Sequence, residues 1–223
     1  MPLRFITRFV FLLFFAAAHI ASAATPPAGN PDAPAILVWG DSLSAGYGLD
    51  RGQDWPTLLQ TRLQDKGFRH VVVNGSVSGE TSSGGRTRLP AALAEHAPAI
   101  VILELGANDG LRGLQPRLLA DNLKAMIDAA TASGAQVLLV GMQMPPNYGP
   151  AYTRRFSAVF RDLAESEELP LVPFLMEGFA DRPELFLADG IHPTAEAQGL
   201  ILDTVWHSLQ PMLTGATAQA RRR

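Results

Sequence analysis

Five short, continuously apolar runs punctuate this chain, and each breaks at once into small, turn-forming residues. They are Ala35 to Trp39, Val71 to Val73, Ala99 to Leu105, Gln136 to Gly141 and Leu169 to Val172. Apolar runs of this length, bounded by Gly, Asn, Asp and Pro, read as buried strands. The stretches between them carry apolar residues at helical spacing. Asp54 can cap a helix with Pro56 in its first turn and Trp55, Leu58, Leu59 and Leu63 as its stripe, ended by Gly67. A second helix runs from about Thr81 to Ala94. A third starts near Pro116, lines up Leu119, Leu123, Met126, Ile127 and Ala130, and stops at Gly134. A fourth shows Tyr152, Phe156, Val159, Phe160 and Leu163 on one side, and Thr194 caps a last helix carrying Ala197, Leu200, Ile201, Val205 and Leu209. Strands alternating with amphipathic helices give right-handed βαβ units and a parallel sheet. Strands that are apolar throughout, rather than alternating, imply helices on both faces. The expectation is an α/β fold: one three-layer α/β/α domain over about residues 35–212, with a five-stranded parallel sheet and no internal repeat or linker.

The chain is long enough to bury a core unaided: 223 residues, 47% apolar and 17% charged. It has no cysteine, which excludes disulfides, thiol chemistry and thiolate-bound metals. Arg4 and Arg8 precede an apolar run from Phe9 to Ala18, and Ala21-Ser22-Ala23 has the small-residue pattern of a cleavage site. Residues 1–23 therefore read as a secretory signal cut after Ala23 or Ala24, the run being short for a membrane span. An uncleaved anchor is the alternative. Cleavage takes the formal charge from −3 to −5 by removing two arginines and no acid. A mildly acidic chain lacks the basic surface that nucleic acid requires. The sequence thus predicts a periplasmic or secreted protein, monomeric, without stable membrane insertion, ending in a disordered tail over 213–223.

Chemistry-bearing residues gather in the loops after the strands. In an open α/β sheet the carboxyl ends of the strands are where ligands bind. The first such loop, after Trp39, is Gly40-Asp41-Ser42-Leu43-Ser44-Ala45-Gly46-Tyr47-Gly48; the second holds Gly79, the third Asn108 and the last Asp189 and His192. Each alone has a plain reading, as a turn residue or a loop histidine. Together they are complementary. A serine hydroxyl needs a base to take its proton, a neutral imidazole suits that task, and a carboxylate holds the imidazole in the right tautomer. Asp-x-x-His lets both side chains project from one loop. The other histidines lie in the signal, before a strand, or on or near helices. The backbone N–H groups of Ser42 and Gly79 and the amide of Asn108 can meet a developing oxyanion.

Gly40-Asp41-Ser42-Leu43, Gly79, Gly106-x-Asn108-Asp109 and Asp189-x-x-His192 stand in the order of the four blocks of the SGNH (GDSL) hydrolases, and the chain resembles that family from about Ile36 to its last helix. Ser76-Val77-Ser78-Gly79-Glu80-Thr81, the run from Glu104 to Gly113 and Asp189-Gly190-Ile191-His192-Pro193 look most like its bacterial thioesterase I / protease I / lysophospholipase group, also called arylesterases. The resemblance implies a flavodoxin-like sheet of order 2-1-3-4-5, a Ser42–His192–Asp189 triad, an oxyanion hole of Ser42, Gly79 and Asn108, and hydrolysis of acyl esters and thioesters without metal or cofactor. Gly75 stands where the family pattern has Ala, a change harmless to the chemistry. Asp41 and Asp109 read as residues that order their loops, and Glu104 as a hydrogen-bonded core carboxylate. Two other readings stay open: a carbohydrate O-deacetylase with the same triad, and a non-catalytic flavodoxin-like binding module, for which the Asp-x-x-His loop would have no use.

The acyl group needs an apolar surface. Leu111, Leu114 and Pro146 are the candidates, on two segments bordering the site: Leu111 to Pro116 and Met144 to Tyr148. Gly110 and Gly113 let the first segment move, and the paired prolines stiffen the second.

Overall fold

The structure is a computed structural model describing residues 33–220, with side chains described to Leu213. The expected signal at 1–23 and the last three arginines lie outside the described residues. Five strands, β1 (Ala35–Gly40), β2 (Val71–Asn74), β3 (Ile100–Glu104), β4 (Gln136–Val140) and β5 (Leu171–Val172), form one sheet in the order β2-β1-β3-β4-β5, every pair parallel. The helices are α1 (Ser42–Ala45), α2 (Trp55–Asp65), α3 (Ser82–His96), α4 (Ala107–Leu111), α5 (Pro116–Ala132), α6 (Pro150–Ser166) and α7 (Ala195–Ala220). α2 packs on α7 in one layer, and α3 and α6 flank α5 in the other. This is the three-layer α/β/α architecture and sheet order expected.

Central position decides burial. Every residue of β3 is buried, as is β1 from Ile36 onward. β2 forms an edge and departs from the doubly covered pattern, with Val71 exposed. The stripe of α5 buries all five predicted residues. Leu59, Leu63, Leu103, Leu123 and Leu139 are among the fully or almost fully buried leucines, and truncating one such residue to Ala costs about 2–5 kcal/mol.

The ends of the elements show which local signals act. Asp54 caps α2 by accepting from Thr57 N, and Thr81 caps α3 by accepting from Gly84 N. Thr194 does not cap α7: its hydroxyl is buried without a partner among the described residues. Gln198 Nε2 instead donates to the carbonyls of Pro193 (3.4 Å) and Thr194 (3.3 Å), and its Oε1 accepts from Trp55 N (3.1 Å), so the start of α7 is tied to the start of α2. β5 begins at Leu171 rather than Leu169. Leu169 N bonds Ala164 O at 2.8 Å and closes α6, and Pro170 has no N–H for a ladder. α7 runs to Ala220, past the domain end at 212 read from the sequence, and Leu213 is fully buried.

Candidate active site

The serine turn is built by its neighbours. β1 ends at Gly40, where a Cβ would run into Glu104 Oε2 and lie 2.8 Å from Ser44 Oγ. Asp41 follows as the N-cap of α1, its Oδ1 accepting from Leu43 N at 3.0 Å. Ser42 is the first residue of that single turn, which Gly46 closes at φ 73. Ser42 is thereby presented at the carboxyl edge of the sheet, half-buried.

The histidine comes from the loop before α7. An antiparallel bridge joins Phe186 and Pro193, and Leu187 N bonds His192 O at 2.8 Å. Inside this loop Asp189 Oδ1 accepts from the backbone N–H of Ile191 (2.9 Å) and His192 (3.0 Å). Its other oxygen lies 2.7 Å from His192 Nδ1. The far ring nitrogen, Nε2, lies 2.9 Å from Ser42 Oγ, across 150 positions of sequence. The two backbone N–H groups and then the imidazole hold the Asp189 carboxyl down at about 2, so it is ionised at neutral pH. The ring of Tyr47 lies against His192 with centroids 4.3 Å apart and planes at 37°. The sequence gives no role to Tyr47; its only signal is an aromatic side chain between Gly46 and Gly48.

Three donors are expected for the oxyanion: the N–H groups of Ser42 and Gly79 and the amide of Asn108. Among the described residues no acceptor meets the backbone N–H of Ser42 or of Gly79. Gly79 takes φ 79, which glycine adopts without strain, and its carbonyl is held by Arg112 Nη2 at 3.1 Å. Asn108 donates one Nδ2 hydrogen to Asp41 Oδ2 at 3.1 Å and has a second. Asp109 accepts from Ser82 N (2.8 Å) and Ser82 Oγ (2.6 Å), fixing α4 to the start of α3. Asp41 and Asp109 thus order the loops as their positions suggested. Asp41 is buried, and burial pushes its carboxyl up to about 6.

The acyl candidates lie at the end of α4 and on the segments after α4 and β4. Leu111 is half-buried, Leu114 and Pro146 exposed. Tyr148 Oη donates to Leu111 O at 3.0 Å and Tyr152 Oη to Leu114 O at 2.8 Å, so the two segments are fastened together. Gly110 does not serve as a hinge. It is buried inside α4, where Met144 and Phe156 leave no room for a Cβ. A surface depression of about 520 Å³ flanks α1 through Ala45 and Gly46, but Ser42, Gly79, Asn108 and His192 are not among its lining residues. Among the described residues no group of three His, Asp or Glu side chains could share a metal ion, and no helix is long and apolar enough to cross a membrane.

Gly75 shows how a neighbour rewrites a loop. A Cβ there would come within 2.7 and 2.8 Å of two ring carbons of Trp39. That ring is held on its other contacts by Arg88, 4.2 Å over it, and by its own Nε1 bond to Gly85 O at 3.2 Å.

A five-stranded α/β sheet with a serine, a histidine and an aspartate joined at its carboxyl edge defines a class, and comparison with known proteins gives the family. The signature of the GDSL-like Lipase/Acylhydrolase family matches residues 38–200. Esterase TesA of Pseudomonas aeruginosa is 52% identical over 181 residues, 81% of this chain and 90% of that protein. Thioesterase 1/protease 1/lysophospholipase L1 of Escherichia coli K12 is 43% identical over 181 residues, 81% and 86% of the two chains. A crystal structure of TesA superposes with a TM-score of 0.78, covering 80% of this chain and 99% of that one. The chain belongs to the GDSL-like lipase/acylhydrolase family and is a carboxylic ester hydrolase of that type.

Proposed function

We propose that this protein is a secreted or periplasmic serine hydrolase that cleaves acyl esters and thioesters through an acyl-enzyme on Ser42. The observation that carries the reading is the relay of 2.9 Å from Ser42 Oγ to His192 Nε2 and 2.7 Å from His192 Nδ1 to Asp189 Oδ2. The ionised Asp189 accepts from Nδ1–H, which leaves the Nε2 lone pair directed at the serine hydroxyl. His192 takes the proton as Oγ attacks the acyl carbon. The carbonyl oxygen becomes an oxyanion facing the N–H groups of Ser42 and Gly79 and the free Nδ2 hydrogen of Asn108. Loss of one such donor costs about 10²–10³-fold in kcat. The tetrahedral adduct collapses, His192 returns the proton to the leaving alcohol or thiol, and the acyl group stays on Oγ. Water, deprotonated by the same imidazole, repeats the sequence and releases the acid. These steps ask for no cofactor.

The names of the relatives, an esterase and a thioesterase/lysophospholipase, support acyl esters and thioesters as the substrate class. Leu111, Leu114 and Pro146 border a shallow acyl groove, which favours short to medium chains with broad tolerance. The n-region, apolar run and Ala21-Ser22-Ala23 support export with cleavage near Ala23. Mass spectrometry of the exported chain checks that, and a retained Met1 contradicts it. For the chemistry, Ser42→Ala and His192→Ala each lower kcat by about 10³-fold or more in a folded protein. Near-normal turnover in either variant overturns the mechanism.

A further inference from the structure

A carboxyl group that none of these steps uses lies directly behind the serine turn. Glu104, the last residue of β3, is buried opposite Gly40 in the β1–β3 register. Its Oε2 accepts from Ser44 Oγ at 2.6 Å and from the backbone N–H of Asp41 at 3.3 Å. Those donors are the N-cap and the third residue of α1, so a single oxygen grips the turn on both sides of Ser42. The absence of a side chain at Gly40 makes the grip possible, because a Cβ there would run into that oxygen.

The Asp41 side chain carries the restraint outward. Oδ1 accepts from Leu43 N at 3.0 Å and Oδ2 from Asn108 Nδ2 at 3.1 Å. The amide group of Asn108 is planar. Fixing one Nδ2 hydrogen on Asp41 fixes the direction of the other, the one left for the oxyanion. A continuous path of hydrogen bonds therefore joins β3 to the side chain on α4.

The charges around the path fit this role. Asp41 is faced by Glu104 from β3, Asp109 from α4 and His192 from the loop before α7. Burial, and then the neighbouring Asp41, push Glu104 well above the ordinary carboxylate range. That shift favours the protonated form of Glu104 beside the buried Asp41.

We propose that Glu104 is a positioning residue for the oxyanion donor Asn108, acting through Asp41 and touching no substrate. The inference rests on Asn108 being that donor. Displacing a positioned group by about 1 Å can cost up to about 10²-fold. Glu104 thus earns its burial in turnover as well as in packing.

The test measures kcat, KM and thermal unfolding with p-nitrophenyl acetate for Glu104→Leu, Glu104→Gln and Ser44→Ala, each alone and combined with Asn108→Ala. Glu104→Leu removes the acceptor while keeping volume, and should lower kcat about 10- to 100-fold with KM changed less than about 3-fold. Glu104→Gln offers the same acceptor without charge and should stay within about 3-fold of the parent. In the Asn108→Ala background Glu104→Leu should have almost no further effect, because the group it positions is gone. A full, additive loss in that background overturns the proposal, as does an unchanged kcat with a lowered Tm. If Glu104→Leu fails to fold, Ser44→Ala removes one of the two donors and leaves the core intact. It should give a smaller kcat loss that likewise vanishes without Asn108, and an additive loss overturns the proposal. Wild-type kcat in Asn108→Ala alone would overturn the donor assignment itself, a result distinct from any outcome at Glu104.

Discussion

The ring of Tyr47 packs on the imidazole of His192 with 4.3 Å between centroids, although Tyr47 belongs to the turn after α1 and His192 to the loop before α7. The contact closes a circuit: the turn that carries Ser42 also supports the imidazole 2.9 Å from its hydroxyl. Tyr47 is half exposed, at 51%, so solvent reaches the back of the pair. Ring pairs of this kind contribute about 0.5–1.5 kcal/mol beyond burial. Tyr47→Ala should therefore lower kcat by about 2- to 10-fold, and Tyr47→Phe should leave it nearly unchanged. Steady-state kinetics of the two variants checks this. Equal losses in both would move the effect from ring packing to the phenol hydroxyl.

Leu114 tests the proposed acyl groove. Its carbonyl is anchored by Tyr152, so a polar side chain can be placed there without freeing the segment. Leu114→Ser should lower kcat/KM for octanoyl esters more than for acetyl esters, since each buried CH₂ contributes up to about 0.8 kcal/mol. Equal losses on both substrates, with Tm unchanged, would put the acyl chain elsewhere.

Gly75 and Trp39 form a coupled pair. Gly75→Ala presses a methyl group on the Trp39 ring and should destabilise the protein by about 1–3 kcal/mol. The same substitution in a Trp39→Leu background should cost much less, the difference being their interaction energy. Denaturant unfolding of the four proteins gives that number.

His70 links stability to pH. It is buried, and neither ring nitrogen has a partner among the described residues. Burial, then the Arg69 charge, lower it from the ordinary 6.5. A base depressed in the folded state binds its proton more weakly there than in the unfolded chain. Its contribution is complete above about 6.5 and is lost as pH falls from there through the folded value. His70→Leu should therefore lose less Tm between pH 7 and 5 than the parent does. Asp41, raised to about 6, acts with the opposite sign in the same window, so the comparison is between the two proteins rather than with a flat line. A parallel Tm profile in both would contradict the assignment.

Much of this was legible because the sequence writes local physics plainly. Continuous apolar runs gave the five strands, Asp54 and Thr81 announced their helices, and Ser42, Gly79, Asn108 and the Asp189–His192 loop stood at or beside strand ends, where open α/β sheets bind ligands. What stayed hidden depends on contacts far apart in the chain. Glu104 meets Ser44 across 60 positions, and Tyr47 meets a ring brought by another loop. Gly110 read as a point of freedom, yet its smallness serves Met144 and Phe156. Thr194 had the composition of a cap, yet its hydroxyl is buried without a partner among the described residues, and Gln198 ties the start of α7 to α2 instead.

The central claim is a covalent acyl group on Ser42 Oγ, formed with His192 as base. Rapid acid quench during turnover of a p-nitrophenyl ester, followed by peptide mass mapping, reads it directly. One acyl adduct on the peptide that contains Ser42, absent from Ser42→Ala and strongly reduced in His192→Ala, is the predicted result. An adduct on another residue, or full turnover by Ser42→Ala, would contradict the account.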